Sequence, residues 1–154
     1  MSDIKLKVLV TGASGFIGDY VVNYLCNNSN HHIYILTRDI SKLEDRLWTS
    51  KVTKIEGDIS EYKKDWYNFL QRPDKLIHLA WQGLPNYNSL HHFEENLPKN
   101  YNFLKTMVKS GITQILVAGT CFEYGFQSGP ISSKSETDPK NAYAMAKDNL
   151  RQHL

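Results

Sequence analysis

Residues 11–18, Thr-Gly-Ala-Ser-Gly-Phe-Ile-Gly, join a strand pattern to a helix pattern through three glycines. Before them Leu6, Val8 and Val10 alternate with Lys5, Lys7 and Leu9, the period of a short, largely buried strand. After them Ile17, Val21, Val22 and Leu25 recur at helical spacing. In such a junction the three glycines do different things. Gly12 permits the tight turn, Gly15 lets backbone approach a pyrophosphate, and Gly18 allows close packing of helix on strand. The first amides of the helix then point at the phosphates, with the helix dipole in their favour. The stretch reads as a dinucleotide-binding turn.

Outward from it the chain alternates. Strands are expected over Lys5–Thr11, His32–Thr37, Thr53–Glu56, Lys75–Ala80 and Gln114–Ala118. Helices are expected over Gly15–Asn27, Ser41–Trp48, Glu61–Leu70, Leu90–Ser110 and Ala142–His153, with Pro98 either kinking the fourth or marking a late start. Five strands separated by helices predict an α/β fold, a doubly wound parallel sheet ordered 3-2-1-4-5 with helices on both faces. Ligand then binds at the carboxyl ends of the strands, beside strand one. Gly119–Asn141, rich in glycine and proline and without period, reads as a long functional loop.

Bulk properties set the class. At 154 residues the chain is one domain's length, enough to bury roughly 70% of its unfolded surface. A net charge of +2 with both signs interspersed gives no reason to expect nucleic acid or membrane as partner. Two cysteines far apart, Cys26 and Cys121, suggest a reducing compartment, and no segment has the length of a signal or a membrane span, so the cytoplasm is expected.

Strand two ends in Leu36-Thr37-Arg38-Asp39, where the adenosine ribose is read. An arginine there holds the 2′-phosphate of NADP by charge-assisted bonds, whereas a carboxylate accepts from the free hydroxyls of NAD. Arg38 comes first and favours NADP, with Asp39 keeping NAD as the alternative. Asp58, after strand three, suits either an adenine contact or a cap for the next helix. Strand four ends His78-Leu79-Ala80-Trp81, where small residues would let the chain pass close to the cofactor, with Leu79 and Ala80 the candidates for that contact. His78 in an apolar strand reads as a core histidine. The pairs His31-His32 and His91-His92 lack metal-ligand spacing to a further ligand, so no metal is expected.

Tyr143 and Lys147 stand four apart on an expected helix and share a face. A tyrosine serves as acid or base near neutrality only if its pKa is lowered, which a nearby ammonium achieves. Thr120, just past strand five, is placed to orient the reacting oxygen. Spacing alone is weak: with nine tyrosines in the chain, roughly one such pair arises by chance, and Tyr101 with Lys105 is a second. Topology selects Tyr143, which follows both strand five and the long loop.

These segments together resemble the extended short-chain dehydrogenase/reductases. Thr11–Gly18, Gly57-Asp58, Leu79-Ala80, Gly119–Gly125 and Tyr143–Lys147 occur in that family's order, and the likeness is to its NAD(P)-dependent nucleotide-sugar epimerase/dehydratase and 4-ketoreductase branch. The resemblance implies a Rossmann-like domain over 1–154. It assigns Tyr143 as general acid/base, Lys147 as the residue that binds the nicotinamide ribose and lowers the tyrosine pKa, and Thr120 as the hydroxyl on the reacting oxygen. Gly12, Ser14, Gly15, Phe16, Ile17 and Gly18 would wrap the pyrophosphate, with Asp58 and Ile59 at the adenine. Asn96 matches an asparagine common near the catalytic lysine. Three positions depart from the pattern: Trp81 stands where a small residue is usual, and Phe122-Glu123 replaces a small or apolar pair.

Family members are about twice as long, so the chain reads as the cofactor-binding half with the C-terminal substrate domain absent. A nucleotide-sugar is the expected substrate, with a homodimer or a complementary C-terminal polypeptide as the expected partner. A non-catalytic NAD(P)-binding module or inactive relic is the alternative; it would bind cofactor without turnover.

Overall fold

Strand β1 (Lys7–Thr11) runs between two parallel neighbours, with Val8 opposite Ile33 and Val10 opposite Ile35 of β2 (His32–Thr37), and Leu9 opposite Leu76 of β4 (Lys75–His78). β3 (Thr53–Glu56) extends the sheet beyond β2, and β5 (Gln114–Val117) extends it beyond β4. The order is therefore β3-β2-β1-β4-β5, all parallel, in this computed structural model, which describes residues 4–61 and 63–154. The expected order holds, and β2 and β3 occupy the residues expected for them. A central parallel strand is buried on both faces, and Val8, Leu9 and Val10 are accordingly closed to solvent.

The chain divides into two compact units, Met1–Ala80 with Thr106–Val117, and Trp81–Lys105 with Ala118–Leu154. The first holds the whole sheet. On one side of it Val8, Val10, Ile33 and Ile35 pack with Ala13, Val22, Leu43 and Trp48, and Leu25 and Cys26 of helix α1 (Phe16–Asn28) lie against that cluster. β5 forms one edge of the sheet, with Leu116 exposed.

Two expected helices are much reduced. Where a helix is expected over 41–48 the chain forms a 3-10 turn at Ile40–Leu43, and a second follows at Thr49–Lys51. Leu43 and Trp48 are both fully buried in the same cluster, yet residues five apart on an α-helix point about 140° away from each other. Turns bring both side chains inward where a helix cannot. Over 61–70 only one turn is helical, α2 (Trp66–Phe69), because Asp65 accepts the Asn68 amide hydrogen and starts the helix late. Tyr62 lies outside the described residues.

In the second unit a π-turn at His92–Asn96 leads directly into helix α3 (Leu97–Lys109), whose first nine residues belong to this unit. The Leu97 amide bonds to the His92 carbonyl. Pro98 has no N–H to offer the helical ladder, and the wider π-turn absorbs that gap at the helix entry. Helix α4 (Ala142–Gln152) packs on the π-turn and on a 3-10 turn at Cys121–Tyr124. Asn141 caps it by accepting the Ala144 amide hydrogen, and Tyr143, Ala144, Ala146, Lys147, Asp148 and Leu150 form its buried side. Among the described residues no helix is long and apolar enough to cross a membrane.

Candidate active site

In the first unit the candidate residues follow the carboxyl ends of four adjacent strands. Gly12, with φ of +75°, leaves β1 so close to β4 that a Cβ there would stand 2.7 Å from the Ala80 nitrogen and the Leu79 carbonyl carbon. The Ala80 amide donates to the Thr11 hydroxyl at 3.3 Å, and that hydroxyl pairs with His78 Nδ1 at 2.8 Å, so His78 is a satisfied core histidine. A Cβ at Gly18 would collide with the Gly12 carbonyl oxygen and stand 2.7 Å from Ala13 Cα. At Gly15, the N-cap of α1, no side chain caps the helix. The loop thus has the shape of a cradle that side chains would fill, with α1's leading amides open to an anion.

Phe16 and Ile17 are exposed beside it. The Ser14 carbonyl accepts from Arg46 Nη2 at 3.2 Å, and Arg46 also pairs with Asp19 of α1 at 3.1 Å. The Trp48 indole N–H donates to the same carboxylate at 2.8 Å. These bonds brace the loop from the segment after β2. Arg38, at the end of β2, is exposed and has no hydrogen-bond or ion-pair partner among the described residues. Asp39 is committed locally, its Oδ1 accepting from the Ser41 amide and hydroxyl. After β3, Asp58 accepts the Ser60 amide hydrogen at 2.8 Å and closes a turn rather than capping a helix, with Ile59 half-buried beside it.

In the second unit Thr120, Tyr143 and Lys147 come together with Trp81, Tyr87 and His92. The Tyr143 amide, one of the four that a helix start leaves unpaired, donates to the Tyr87 carbonyl at 2.9 Å. Its ring lies among Trp81, Tyr87 and His92, with centroids 5.9, 5.7 and 5.3 Å away. This burial raises the Tyr143 pKa above its ordinary value, and a hydrogen bond from the Thr120 hydroxyl acts against it. The expected lowering by the Lys147 ammonium is not found; burial keeps the phenol neutral, and Thr120 is the group that favours its ionised form.

Lys147 is itself buried, which lowers its pKa to about 8, with the Glu123 carboxylate partly offsetting the loss of water. Its Nζ stands 4.5 Å from the centre of the Trp81 ring. Because the folded value lies below the ordinary 10.5, the unfolded chain holds more protons between those limits. Stability is therefore expected to rise as pH climbs from about 8 to 10.5. Lys147→Met removes the buried ammonium and should stabilise the neutral-pH fold by about 1–3 kcal/mol, flattening that pH dependence in urea titrations. An unchanged pH profile in the variant would place the source elsewhere.

Glu123 is buried and completes a capping box with Thr120, its Oε1 accepting the Thr120 amide hydrogen at 2.7 Å. The spacing Thr120-Cys121-Phe122-Glu123 carries that signal in the sequence. Nothing in the sequence pairs Trp81 with His92. Among the described residues no three His, Cys, Asp or Glu side chains gather as a metal site.

The description "NAD dependent epimerase/dehydratase family" matches residues 8–152. The dTDP-6-deoxy-L-talose 4-dehydrogenase (NAD(+)) of Aggregatibacter actinomycetemcomitans is 38% identical over 97% of this chain and 54% of its own length. The chain thus spans about half the length of the curated relatives it matches. The UDP-N-acetylglucosamine 4-epimerase of Bacillus cereus superposes with a TM-score of 0.76 at 25% identity, covering 97% of this chain and 48% of that one. The UDP-glucuronic acid 4-epimerase of the same organism, in complex with UDP-glucuronic acid and NAD, matches in fold with a TM-score of 0.77 at 23% identity, over 96% of this chain and 51% of that one.

Proposed function

Since the chain belongs to the NAD-dependent epimerase/dehydratase family, we propose that residues 1–154 are the NAD(P)-binding part of an enzyme that oxidises, reduces or epimerises a nucleotide-linked sugar. The observation that carries this reading is the side-chain-free cradle at Gly12, Gly15 and Gly18, set where parallel strands end. Ser14, Phe16 and Ile17 flank the pyrophosphate there, Asp58 and Ile59 serve the adenine, and Leu79 and Ala80 form the cradle's floor. When bound, the nicotinamide supplies hydride exchange with a sugar carbon.

The chain's own groups handle the proton and the positioning. Tyr143, held neutral, is a proton donor to a carbonyl and, with Thr120 favouring its anion, the acceptor in the reverse direction. Lys147 binds a ribose hydroxyl through its ammonium, which is charged at neutral pH. The sugar pocket is completed by further polypeptide, from the same chain or a second one.

For the cofactor, Arg38 supports NADP(H) over NAD(H), because its guanidinium is uncommitted while Asp39 is tied to Ser41. Calorimetric titration with both cofactors at matched salt tests this. Arg38→Ala should weaken NADP binding roughly tenfold or more and leave NAD nearly unchanged. NAD bound more tightly by the unaltered chain would overturn the preference, in keeping with the NAD named for the relatives. Binding without turnover by the protein that carries this chain would favour the non-catalytic module.

A further inference from the structure

His92 is fully buried, and both of its ring nitrogens are engaged. Nδ1 lies 3.1 Å from the Trp81 indole nitrogen and 3.2 Å from Asn96 Nδ2, while Nε2 lies 2.9 Å from the Asn86 carbonyl oxygen. An indole N–H and an amide NH₂ only donate, and a carbonyl only accepts. Nδ1 therefore accepts and Nε2 carries the proton: one neutral tautomer satisfies every partner. Asn96 is fixed in turn, since its NH₂ also donates to the Gln82 carbonyl at 2.9 Å. The indole and imidazole planes lie within 23° of each other.

That bond sets the attitude of the indole. One part of the Trp81 ring faces the Lys147 ammonium, and the ring also meets Tyr143 edge-on. A buried ammonium that faces an aromatic ring recovers part of the hydration it has lost. The attraction depends on the ring presenting its face, which a freely turning indole would not do. We propose that His92 is a positioning residue that acts through Trp81, its Nε2–H tautomer locking the indole as the seat of the Lys147 ammonium beside Tyr143.

This deepens the proposed function, in which Lys147 and Tyr143 act, but it concerns a geometry present without cofactor. The titratable groups around His92 are His91, whose ring centre is 4.0 Å away, and Tyr143 on α4; Lys147 lies beyond the indole, with Glu123 acting on it. Burial and the neighbouring His91 hold His92 below the usual histidine range, so the lock persists at neutral pH and opens only in acid. Protonation would put a second donor against the indole N–H and break the bond.

The test is NMR on the cofactor-free chain. An ε-methylene near the face of an indole is shifted upfield by the ring current, and Lys147→Arg assigns the signal. Trp81→Leu should abolish the upfield displacement. His92→Phe, which keeps a ring but removes the acceptor, should remove most of it, and His92→Gln, which restores an acceptor, should recover part. Methyl signals of Val10 and Ile35 report whether the sheet still folds. In the unaltered chain the Trp81 indole N–H signal should move with the His92 ring on acid titration. A Lys147 signal unmoved by Trp81→Leu would overturn the seat. One moved by Trp81→Leu but not by His92→Phe would overturn the lock. Failure of NADP and NAD to bind would leave these readouts intact and count only against the enzyme reading.

Discussion

Gly18→Ala should abolish dinucleotide binding and destabilise the fold by about 3 kcal/mol or more. A methyl group at this position meets the Gly12 carbonyl and Ala13 Cα, both main chain, so no side chain can swing away to make room. Overpacking ordinarily costs about 1–3 kcal/mol, and a clash with rigid backbone belongs at the upper end. Relief requires α1 to move off the loop, which carries the leading amides away from the phosphates. Gly111→Ala is the matched control: its φ of +104° strains an alanine, but nothing lies within 4 Å of the added carbon. It should lower stability while leaving cofactor affinity in place. Urea unfolding and NADP titration of both variants separate the two causes. Binding by the Gly18 variant at unaltered strength would show that the loop is not the phosphate cradle.

The second large effect is expected at Tyr143. Tyr143→Phe keeps the ring among Trp81, Tyr87 and His92 and removes only the hydroxyl that Thr120 contacts. Turnover on a panel of dTDP- and UDP-linked sugars, by the protein that carries this chain, should fall roughly 10²–10⁴-fold, the usual worth of a positioned acid or base. Cofactor affinity should be nearly unchanged. Equal loss of turnover and affinity would make the tyrosine a structural residue, and undiminished turnover would assign the proton transfer to another group.

The sheet was legible because a parallel core strand must be apolar on both faces and the turns between strands carry their own glycines. The β1–loop–α1 junction is local in sequence, so spacing alone located it. The segments after β2 and β3 were not legible as turns. Leu43 and Trp48 satisfy an apolar pattern, but their burial depends on a surface made by β1, β2 and α1, which no short window contains. Around Tyr143, the helix face shared with Lys147 was readable and the electrostatics were not. The direction of the tyrosine pKa depends on how deeply three aromatic side chains from residues 81–92 enclose it, and on Thr120 rather than the lysine. His91-His92 drew attention only as possible metal ligands; the role of His92 rests on Trp81, eleven positions earlier, whose indole has no sequence signal for its partner.

The π-turn at His92–Asn96 amounts to one amino acid more than a regular helix entry would use. Deleting a single residue from this turn would restore the α-helical ladder and rotate everything ahead of it by about 100° about the helix axis. His92 would then no longer point where it does, although no chemically important side chain had been removed. In an alignment such a change is a one-column gap, easily passed over beside a substitution. A homologue that retains the tyrosine and lysine but carries that gap is expected to hold its lysine by other means, and the length of this short turn, rather than the identity of any residue in it, would mark the difference.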